Sequence, residues 1–559
     1  MKLKKVRISN YRSIKDTVEI DFSQLTVLIG PNNSGKSNIL WCINKILSQE
    51  NPLNEIFTEK DVYRQDPARD IDVEIEFDEP YLHVPFPGAE PARVDKVRCI
   101  YKRHKSGPLK GQRYIEKHCL TKDNRLVQVL SENTGAGGVK VFNTLDCPLD
   151  KIREEIPVVY IRTDRITTQS RSDIRKTLMN RLFSDINRDF LRKDNTISMM
   201  NTDGTETEIP RKQWFDQCIE EAMITLRTEA FCQLKETIRK SMLDYLGYEL
   251  DPDDTRWDII FKPITSKDFY QSLELCLYEE DRETPLRALG EGVQNAIILS
   301  ILDAYNRHKS VGFILMIEEP EMYLYPRMKR NLYKALRNLS EKNQVIYITH
   351  STNFVTLPDF DSVRIVSNEG NGTKVKAPEC SCIESLKNKF RNIVSTDLNE
   401  IFFSKKAILI ETDYQKKVLL DYEKRLGLDY DMLGVTILDV GNKSSMPDFA
   451  ELALAFGICI ALAFDKHSSY FADRRADEEI INEKLLTYKE KGIQLFYSNN
   501  TYADELKREW GETVFQQYMD KYSDNNKEGK IMSFASDPEI PVPNFILQIV
   551  DWITKSERS

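Results

Sequence analysis

A glycine-rich segment near the amino terminus has the residue types that hold a nucleoside triphosphate. Residues 26–40 read TVLIGPNNSGKSNIL, an apolar run, then a glycine-rich turn, then a helical pattern. Glycines let the backbone amides face a phosphate, and the new helix presents its positive end to the same anion. A surface turn is the structural alternative, but the flanking strand and helix favour a P-loop for ATP. The predicted binding residues are Gly30, Asn32, Asn33, Ser34, Gly35, Lys36, Ser37 and Asn38, with Lys36 on the outer phosphates and Ser37 on Mg²⁺.

A second group of polar residues follows two apolar runs in the second half of the chain. Residues 313–317 lead into Glu318 and Glu319, and residues 345–349 lead into His350. Two adjacent carboxylates at the tip of a buried strand suit phosphoryl transfer. Glu318 is predicted to coordinate Mg²⁺ through water, and Glu319 to orient the attacking water. A histidine after a strand is more often structural, but its order after the other motifs favours a functional His350.

Length and composition restrict the class of protein. A chain of 559 residues is too long for one core, so two to four domains are expected. The net charge of −9 gives no global attraction to nucleic acid, so any such binding depends on local patches. The longest apolar run, residues 452–464, is too short for a membrane span, and the first residues lack a signal peptide pattern. These features predict a cytoplasmic protein with no membrane partner.

The amino-terminal segment resembles a known branch of ATPases. Residues 5–40, from KVRISNYRSI to the P-loop, resemble the SMC/RecF/OLD branch of ABC-type ATPases. The resemblance implies that residues 11–13 lie near the nucleotide and that His350 contacts the γ-phosphate. It also implies a signature motif at residues 286–294, where Gly290, Gly292 and Gln294 would bind ATP held by the opposite subunit. An ATP-sandwiched homodimer is therefore expected.

Two stretches between the ATPase motifs have open interpretations. Residues 96–125 contain ten Lys or Arg against two acids, with tyrosines interleaved. Such a run suits a DNA-facing hairpin, or equally the solvated face of an antiparallel subdomain. Residues 165–285 have a mainly helical pattern and are predicted to be an insertion, either a dimerisation arm or structural helices without a separate role.

The carboxy-terminal part repeats a strand and helix alternation. Apolar runs at residues 407–410, 435–440 and 458–464 alternate with helical patterns, which predicts a small parallel sheet. Glu411 and Asp465 follow two of these runs. Functional residues of such sheets are built at the carboxyl ends of the strands.

This layout resembles a Toprim domain, and the whole chain resembles the OLD family, in which an ABC-type ATPase precedes a Toprim nuclease. The family includes antiphage effectors of Gabija systems and of some retrons. The resemblance implies Mg²⁺ or Mn²⁺ ligands at Glu411 and Asp465, with His467 in place of a second aspartate. It further implies metal-binding acids at Asp504 and Glu505 and a distal catalytic lysine at Lys530. Glu319, His350, Glu411, Asp465 and Lys530 form the predicted catalytic set.

Two departures from the family pattern affect the expected activity. Gln415 replaces the second glutamate of the family's E-G-x-x-E, and His467 is a poor Mg²⁺ ligand. Activity therefore depends on the metal or on Asp413 as a substitute, or the domain is inactive.

The expected architecture is an α/β ATPase lobe with a helical insertion, followed by a Toprim parallel-sheet domain. The predicted boundaries are 1–164, 165–285, 286–395 and 396–559. The expected function is metal-dependent DNA cleavage gated by ATP in antiphage defence, with a reverse transcriptase, retron nucleic acid or helicase-like protein as partner. The alternatives are an ATP-regulated DNA- or partner-binding protein with a non-cleaving Toprim domain, and a recombination mediator of the RecF type.

Overall fold

The computed structural model describes residues 1–49, 51–53, 55–131, 142–162, 190–200, 206–246, 276–279, 282–285, 312–322, 324–368, 370–393, 395–467, 475–522 and 526–555. The chain forms two compact units. One contains Met1–Arg162 and Val311–Ser559, and the other contains Thr163–Ser310.

The amino-terminal part of the larger unit combines an antiparallel sheet with the first strands of a parallel one. The antiparallel sheet has the strand order β2-β1-β4-β5-β6. Along the first half of β4, buried side chains alternate with partly buried ones, as expected for a sheet with one face on the core. The elements are β1 (Leu3–Ser9), β2 (Val18–Asp21), β3 (Leu25–Ile29), α1 (Lys36–Leu47), β4 (Ile71–His83), β5 (Ala92–Arg103), β6 (Arg113–Leu120), β7 (Gln128–Leu130), β8 (Phe142–Thr144), α2 (Leu149–Glu155) and β9 (Val158–Ile161).

The smaller unit contains both helices and hairpins. Its described elements are β10 (Thr196–Met200), β11 (Glu206–Pro210), α3 (Arg211–Leu226), α4 (Glu229–Leu246), β12 (Cys276–Glu279) and β13 (Arg282–Pro285). The helical pattern predicts α3 and α4, but it does not predict the two antiparallel hairpins, β10-β11 and β12-β13. Residues 174–191, which belong to the helical pattern predicted over 165–285, lie almost entirely outside the described residues.

A six-stranded sheet brings the two halves of the predicted ATPase together. Its order is β17-β16-β3-β15-β14-β9, and only β17 runs antiparallel. The remaining elements of this part are β14 (Ile314–Glu318), α5 (Pro326–Ser340), β15 (Gln344–Ile348), β16 (Val363–Asn368), β17 (Thr373–Lys376) and α6 (Ile383–Phe390). Since β3, β15 and β14 are parallel neighbours, the polar residues that follow them lie at one edge of the sheet.

The carboxy-terminal part is a four-stranded parallel sheet of order β19-β18-β20-β21, covered by helices. The sequence predicts β18, β19 and β20, whereas the edge strand β21 is found only in the structure. The elements are β18 (Lys406–Ile410), α7 (Asp413–Leu426), α8 (Tyr430–Leu433), β19 (Val435–Asp439), α9 (Met446–Phe456), β20 (Cys459–Asp465), α10 (Arg475–Thr487), β21 (Gln494–Ser498), α11 (Tyr502–Trp510), α12 (Glu512–Lys521), α13 (Lys527–Ser536) and α14 (Asn544–Thr554).

The apolar run at residues 452–464 is the end of α9 followed by the buried strand β20. Among the described residues, no helix is long and apolar enough to cross a membrane.

Candidate nucleotide and metal sites

The P-loop joins β3 to α1. The backbone has positive φ at Gly30 (141°), Asn33 (61°) and Gly35 (107°), so the chain turns sharply before α1 begins at Lys36. The Lys36 ammonium donates hydrogen bonds to the carbonyls of Gly30 and Pro31, both at 2.9 Å, and so closes the turn on itself. Burial lowers the pKa of Lys36. Asn32 and Ser37 are exposed at the same turn, a geometry that suits a bound triphosphate.

A hydrogen-bond network that the sequence does not reveal supports this loop. The Thr373 hydroxyl donates to the Ser34 carbonyl at 2.8 Å and lies 2.8 Å from the Ser13 hydroxyl. The Asn38 amide donates to Ser13 at 2.8 Å. Thr373 begins β17, far along the chain, so no local pattern points to it. The network ties the P-loop to the segment that the family resemblance places near the nucleotide.

Thr373→Val should weaken the P-loop. The substitution keeps the shape of the side chain but leaves the Ser34 carbonyl without its donor, which typically costs about 1–3 kcal/mol for a buried polar group. We expect a lower free energy of unfolding and a higher Kd for ATP, measured by denaturant unfolding and by titration. Ser13→Ala, which leaves the Thr373–Ser34 bond intact, should have the smaller effect. Unchanged stability and ATP affinity in Thr373→Val would rule out this supporting role.

The two carboxylates after β14 have different surroundings. Glu318 is buried and accepts a hydrogen bond from the Tyr160 hydroxyl. Glu319 has a φ of 44°, a left-handed conformation that costs a non-glycine residue about 1–3 kcal/mol. Its amide donates to the Ile348 carbonyl at 2.9 Å. Burial and the neighbouring Glu321 raise the pKa of Glu319 to about 8.

Glu321 holds the loop that carries His350. Its carboxylate accepts hydrogen bonds from the Thr349 hydroxyl at 2.6 Å and from the His350 amide at 2.9 Å. The His350 Nε2 then lies 3.4 Å from Glu319 Oε1. Burial lowers the pKa of His350. The sequence assigned no role to Glu321, although its place in the E-E-P-E run is a usable signal.

The signature residues Gly290, Gly292 and Gln294 lie outside the described residues, so their role stays a prediction. Ser37 lies in the first turn of α1, directly after the P-loop, and Glu318 ends β14 at the same edge of the parallel sheet. That pair fits Mg²⁺, which usually takes one or two protein ligands and completes its shell with phosphates and water.

Acidic neighbours neutralise much of the basic run on β5 and β6. Lys102 pairs with Glu116, Arg103 with Glu59 at 2.8 Å, and Arg98 with Asp72. Arg113 also pairs with Glu59, and the buried Lys96 lies 3.5 Å from Glu76. These pairs favour the solvated-face interpretation over a DNA-facing hairpin, because the cations already have carboxylate partners.

Glu411 and Asp465 meet at the carboxyl edge of the second parallel sheet. They follow or end the adjacent strands β18 and β20, and the Asp465 amide donates to Glu411 Oε1 at 2.8 Å. The His467 Nε2 lies 3.7 Å from Glu411 Oε2, and His467 has a φ of 49°. Burial raises the pKa of Asp465, and the Glu411 charge adds to this shift while a hydrogen bond from Ser498 opposes it. The Glu411 carboxylate raises the pKa of His467.

The structure shows the contacts of Gln415, which replaces a family glutamate, and of Asp413, its suggested substitute. Gln415 Oε1 accepts a hydrogen bond from the Glu411 amide at 2.9 Å, so this side chain fixes the backbone of the site. Asp413 is exposed and forms an ion pair with Lys417 at 2.6 Å. Its contacts give no support to the hypothesis that it replaces the second glutamate.

The later acidic residues and the distal lysine have other contacts. Asp504 accepts a hydrogen bond from the Thr501 hydroxyl at 2.7 Å in the first turn of α11, and Glu505 pairs with Arg508. Lys530 lies on α13. Within the described residues, no hydrogen bond or ion pair joins any of the three to Glu411 or Asp465. Their predicted roles in metal binding and catalysis therefore gain no support from these contacts.

Two further residues support the carboxylate pair. The buried Lys443 donates to the Asp465 carbonyl at 2.8 Å and pairs with Glu478, while the Ser498 hydroxyl donates to the Asp465 carboxylate. Lys443 lies in the turn that follows β19. Nothing in the sequence marks Ser498, because it ends the unpredicted strand β21.

The donor set fits a divalent cation that completes its shell with substrate. In the described ranges, no group of three His, Cys, Asp or Glu side chains is arranged to hold a metal ion. Two carboxylates are sufficient where phosphate and water supply the other oxygens. The nearby imidazole of His467 favours Mn²⁺ over Mg²⁺.

Known proteins share both parts of this arrangement. Residues 1–355 match the family described as AAA ATPase domain, and residues 402–466 match the family described as Overcoming lysogenization defect protein-like, TOPRIM domain. The OLD nuclease of Thermus scotoductus is 26% identical over 490 residues, which cover 85% of this chain and 84% of that protein. The Old nuclease of Escherichia phage P2 is 23% identical over 494 residues, 82% of this chain and 76% of that protein.

Among solved structures, the comparison also found an SMC head domain from Thermotoga maritima. It aligns with 68% of this chain and all of its own length, at 14% identity and a TM-score of 0.31. The predicted fold class, an α/β ATPase followed by a Toprim domain, is confirmed by the sheets and by the two family matches. The chain belongs to the AAA ATPase domain family and is an OLD-family fusion of that ATPase with a Toprim nuclease domain.

Proposed function

We propose that this chain is a DNA endonuclease that cleaves with a divalent metal at Glu411 and Asp465 and is gated by ATP at the P-loop. The observation that carries the proposal is the hydrogen bond from the Asp465 amide to Glu411 Oε1, which brings these two acidic residues together at the ends of adjacent parallel strands. The Glu411 charge raises the pKa of Asp465, as expected for neighbouring like charges, and a divalent cation would relieve that repulsion. The ATPase motifs support the other part of the proposal, which is that ATP gates the cleavage.

Each site has residues for a defined task. A cation at Glu411 and Asp465 would stabilise charge on the attacking and leaving oxygens of a phosphodiester. Lys443 and Ser498 hold Asp465 in place from its carbonyl and its carboxylate. In the ATPase, Ser37 and Glu318 would hold Mg²⁺, and Glu319 would orient the attacking water beside His350.

The proposed assembly is a homodimer. In the family that the sequence resembles, the signature glycines act on ATP held by the neighbouring subunit. Gly290 and Gly292 in this chain would do the same. Closure on ATP would then connect the nucleotide state to access at the Toprim site.

A plasmid cleavage assay tests the nuclease. The full chain should nick or linearise supercoiled DNA in Mn²⁺, more slowly in Mg²⁺, and not at all in excess EDTA. The absence of cutting with every metal and nucleotide combination would defeat this proposal.

A second candidate function is ATP-regulated binding of DNA or a partner by a non-cleaving Toprim domain. The observation that favours it is the use of Gln415 as a backbone hydrogen-bond acceptor where the family has a glutamate. The same plasmid assay separates the candidates, because this one predicts retarded but intact DNA. A recombination mediator would need no carboxylate pair, so loss of biological activity in Asp465→Ala would exclude it.

The proposed biological role is antiphage defence, in cooperation with a reverse transcriptase, retron nucleic acid or helicase-like protein. This part of the proposal is supported by the resemblance of the whole chain to the OLD family. Plating efficiency of phage on cells that carry the gene, compared with Asp465→Ala, tests it. Equal plating on both strains across a diverse phage panel would contradict a nuclease-dependent defence role.

A further inference from the structure

A cleft lined by cations lies beside the residues that follow His350 in the sequence. It has a volume of about 720 Å³ and lies between α5, α6 and the residues that follow β15. Five cations line it, namely Arg330, Lys334, Arg337, Lys387 and Arg391, against two acids, Asp359 and Glu384. Neither the ATPase site nor the Toprim site uses these residues.

The cations form rows on two helices. Arg330, Lys334 and Arg337 occupy positions i, i+4 and i+7, which share one face of α5. Lys387 and Arg391 are four residues apart at the end of α6. The whole of α5 contains five basic residues and no acid, in a chain whose net charge is −9.

Three of the five cations are available to a ligand. Arg337 pairs with Asp359 at 3.2 Å, and Lys387 pairs with Asp361 at 2.9 Å. Within the described residues, the structure gives Arg330, Lys334 and Arg391 no ion pair. This differs from the run on β5 and β6, where most of the basic residues have acidic partners.

The lining favours recognition of phosphates rather than bases. Amides and hydroxyls such as Asn353, Asn388 and Thr396 alternate with the cations. Tyr333 is the aromatic residue among the lining groups, but its ring packs edge-on against Phe354 and its hydroxyl donates to Asp359 at 2.7 Å. Proteins often bind free nucleotides and unpaired bases by stacking them on an aromatic ring. The contacts of Tyr333 hold its ring away from such stacking.

We propose that this cleft binds the sugar–phosphate backbone of a nucleic-acid strand. The row on α5 extends about 10 Å at a rise of 1.5 Å per residue. At one phosphate per 3.4 Å of strand axis, about three phosphates fit along that length. The cleft includes Thr352 and Asn353, close in sequence to His350, so a bound strand contacts the loop that reaches the ATPase site.

This inference rests on the proposed function in one respect, namely that the ligand of the cleft is a nucleic acid and not another chain of phosphates. The test is therefore made on the full chain in EDTA, where cleavage plays no part. Anisotropy of labelled single-stranded and duplex DNA gives Kd for wild type, for Arg330→Glu/Lys334→Glu, and for Arg327→Glu/Lys329→Glu. The last variant changes the same charge on the same helix outside the cleft.

We expect the cleft variant to bind DNA at least tenfold more weakly than the control variant. For single strands, the loss of two phosphate contacts should lower the salt slope by about 1.4. ATP binding, titrated separately with Mg²⁺, should be unchanged in both variants. Equal weakening in the two variants, or none, would overturn the proposal, and so would selective loss of ATP binding. Arg330→Ala/Arg391→Ala provides a milder pair if thermal unfolding shows that the charge reversal is not tolerated.

Discussion

Glu319→Gln is expected to bind ATP and to hydrolyse it at least about 10²-fold more slowly, on the scale of removing a general base. The amide keeps the size of the side chain but cannot accept a proton from the attacking water. Lys36, Ser37 and Glu318 are unchanged, so the nucleotide should stay bound. Phosphate release under saturating ATP and a separate ATP titration measure the two effects.

The matched control is Glu341→Gln, the same substitution at the end of α5. It should hydrolyse ATP at the wild-type rate. In the proposed homodimer, hydrolysis would open the ATP-bound state, so Glu319→Gln should also accumulate as a dimer in ATP, measured by light scattering. Wild-type turnover in Glu319→Gln would mean that another residue orients the water.

Glu411→Ala should abolish DNA cleavage, and Glu411→Gln should do the same. The alanine removes both the charge and the acceptor for the Asp465 amide, whereas glutamine keeps an acceptor and removes only the charge. Loss of a group that stabilises transition-state charge typically slows a reaction by about 10²-fold or more. If the cleavage rate of both variants falls by that factor, the carboxylate itself is required. Cleavage preserved in Glu411→Gln would leave Glu411 a structural role only.

Asp504→Asn and Glu505→Gln are to be compared with the Glu411 variants in the same cleavage assay. Their contacts are to Thr501 and Arg508, so the geometry predicts that both variants retain cleavage. The family resemblance predicts the opposite, because it places both residues in a second metal site. Cleavage assays on the three positions, with thermal unfolding to check the fold, therefore decide between geometry and resemblance.

The sequence predicts strands and the turns that follow them correctly where the signal is local. The P-loop and the Glu318–Glu319 pair each come at the end of an apolar strand. A short stretch of sequence therefore contains both the strand and the polar residues that follow it. The same holds for Glu411 after β18 and Asp465 at the end of β20. In each case a parallel neighbour that the window does not show completes the site.

Features that depend on distant partners were missed. β21 is short, and its sequence, QLFYS, becomes a strand because β20 lies beside it. Thr373 supports the P-loop from more than 300 residues away. Gln415 reads in sequence as a lost metal ligand, but in three dimensions it holds the Glu411 amide. The basic run at residues 96–125 stands out in the sequence because Glu59, Asp72 and Glu76, which pair with four of its cations, lie on other strands and loops.

The central claim is that nucleotide at the P-loop controls metal-dependent cleavage at Glu411 and Asp465. The most direct test is the rate of plasmid cleavage by the wild-type chain at fixed Mn²⁺, with and without ATP, beside Lys36→Ala. We predict that ATP changes the wild-type rate and leaves the rate of Lys36→Ala unaffected. Cleavage that is identical with and without ATP in the wild-type chain would contradict the account.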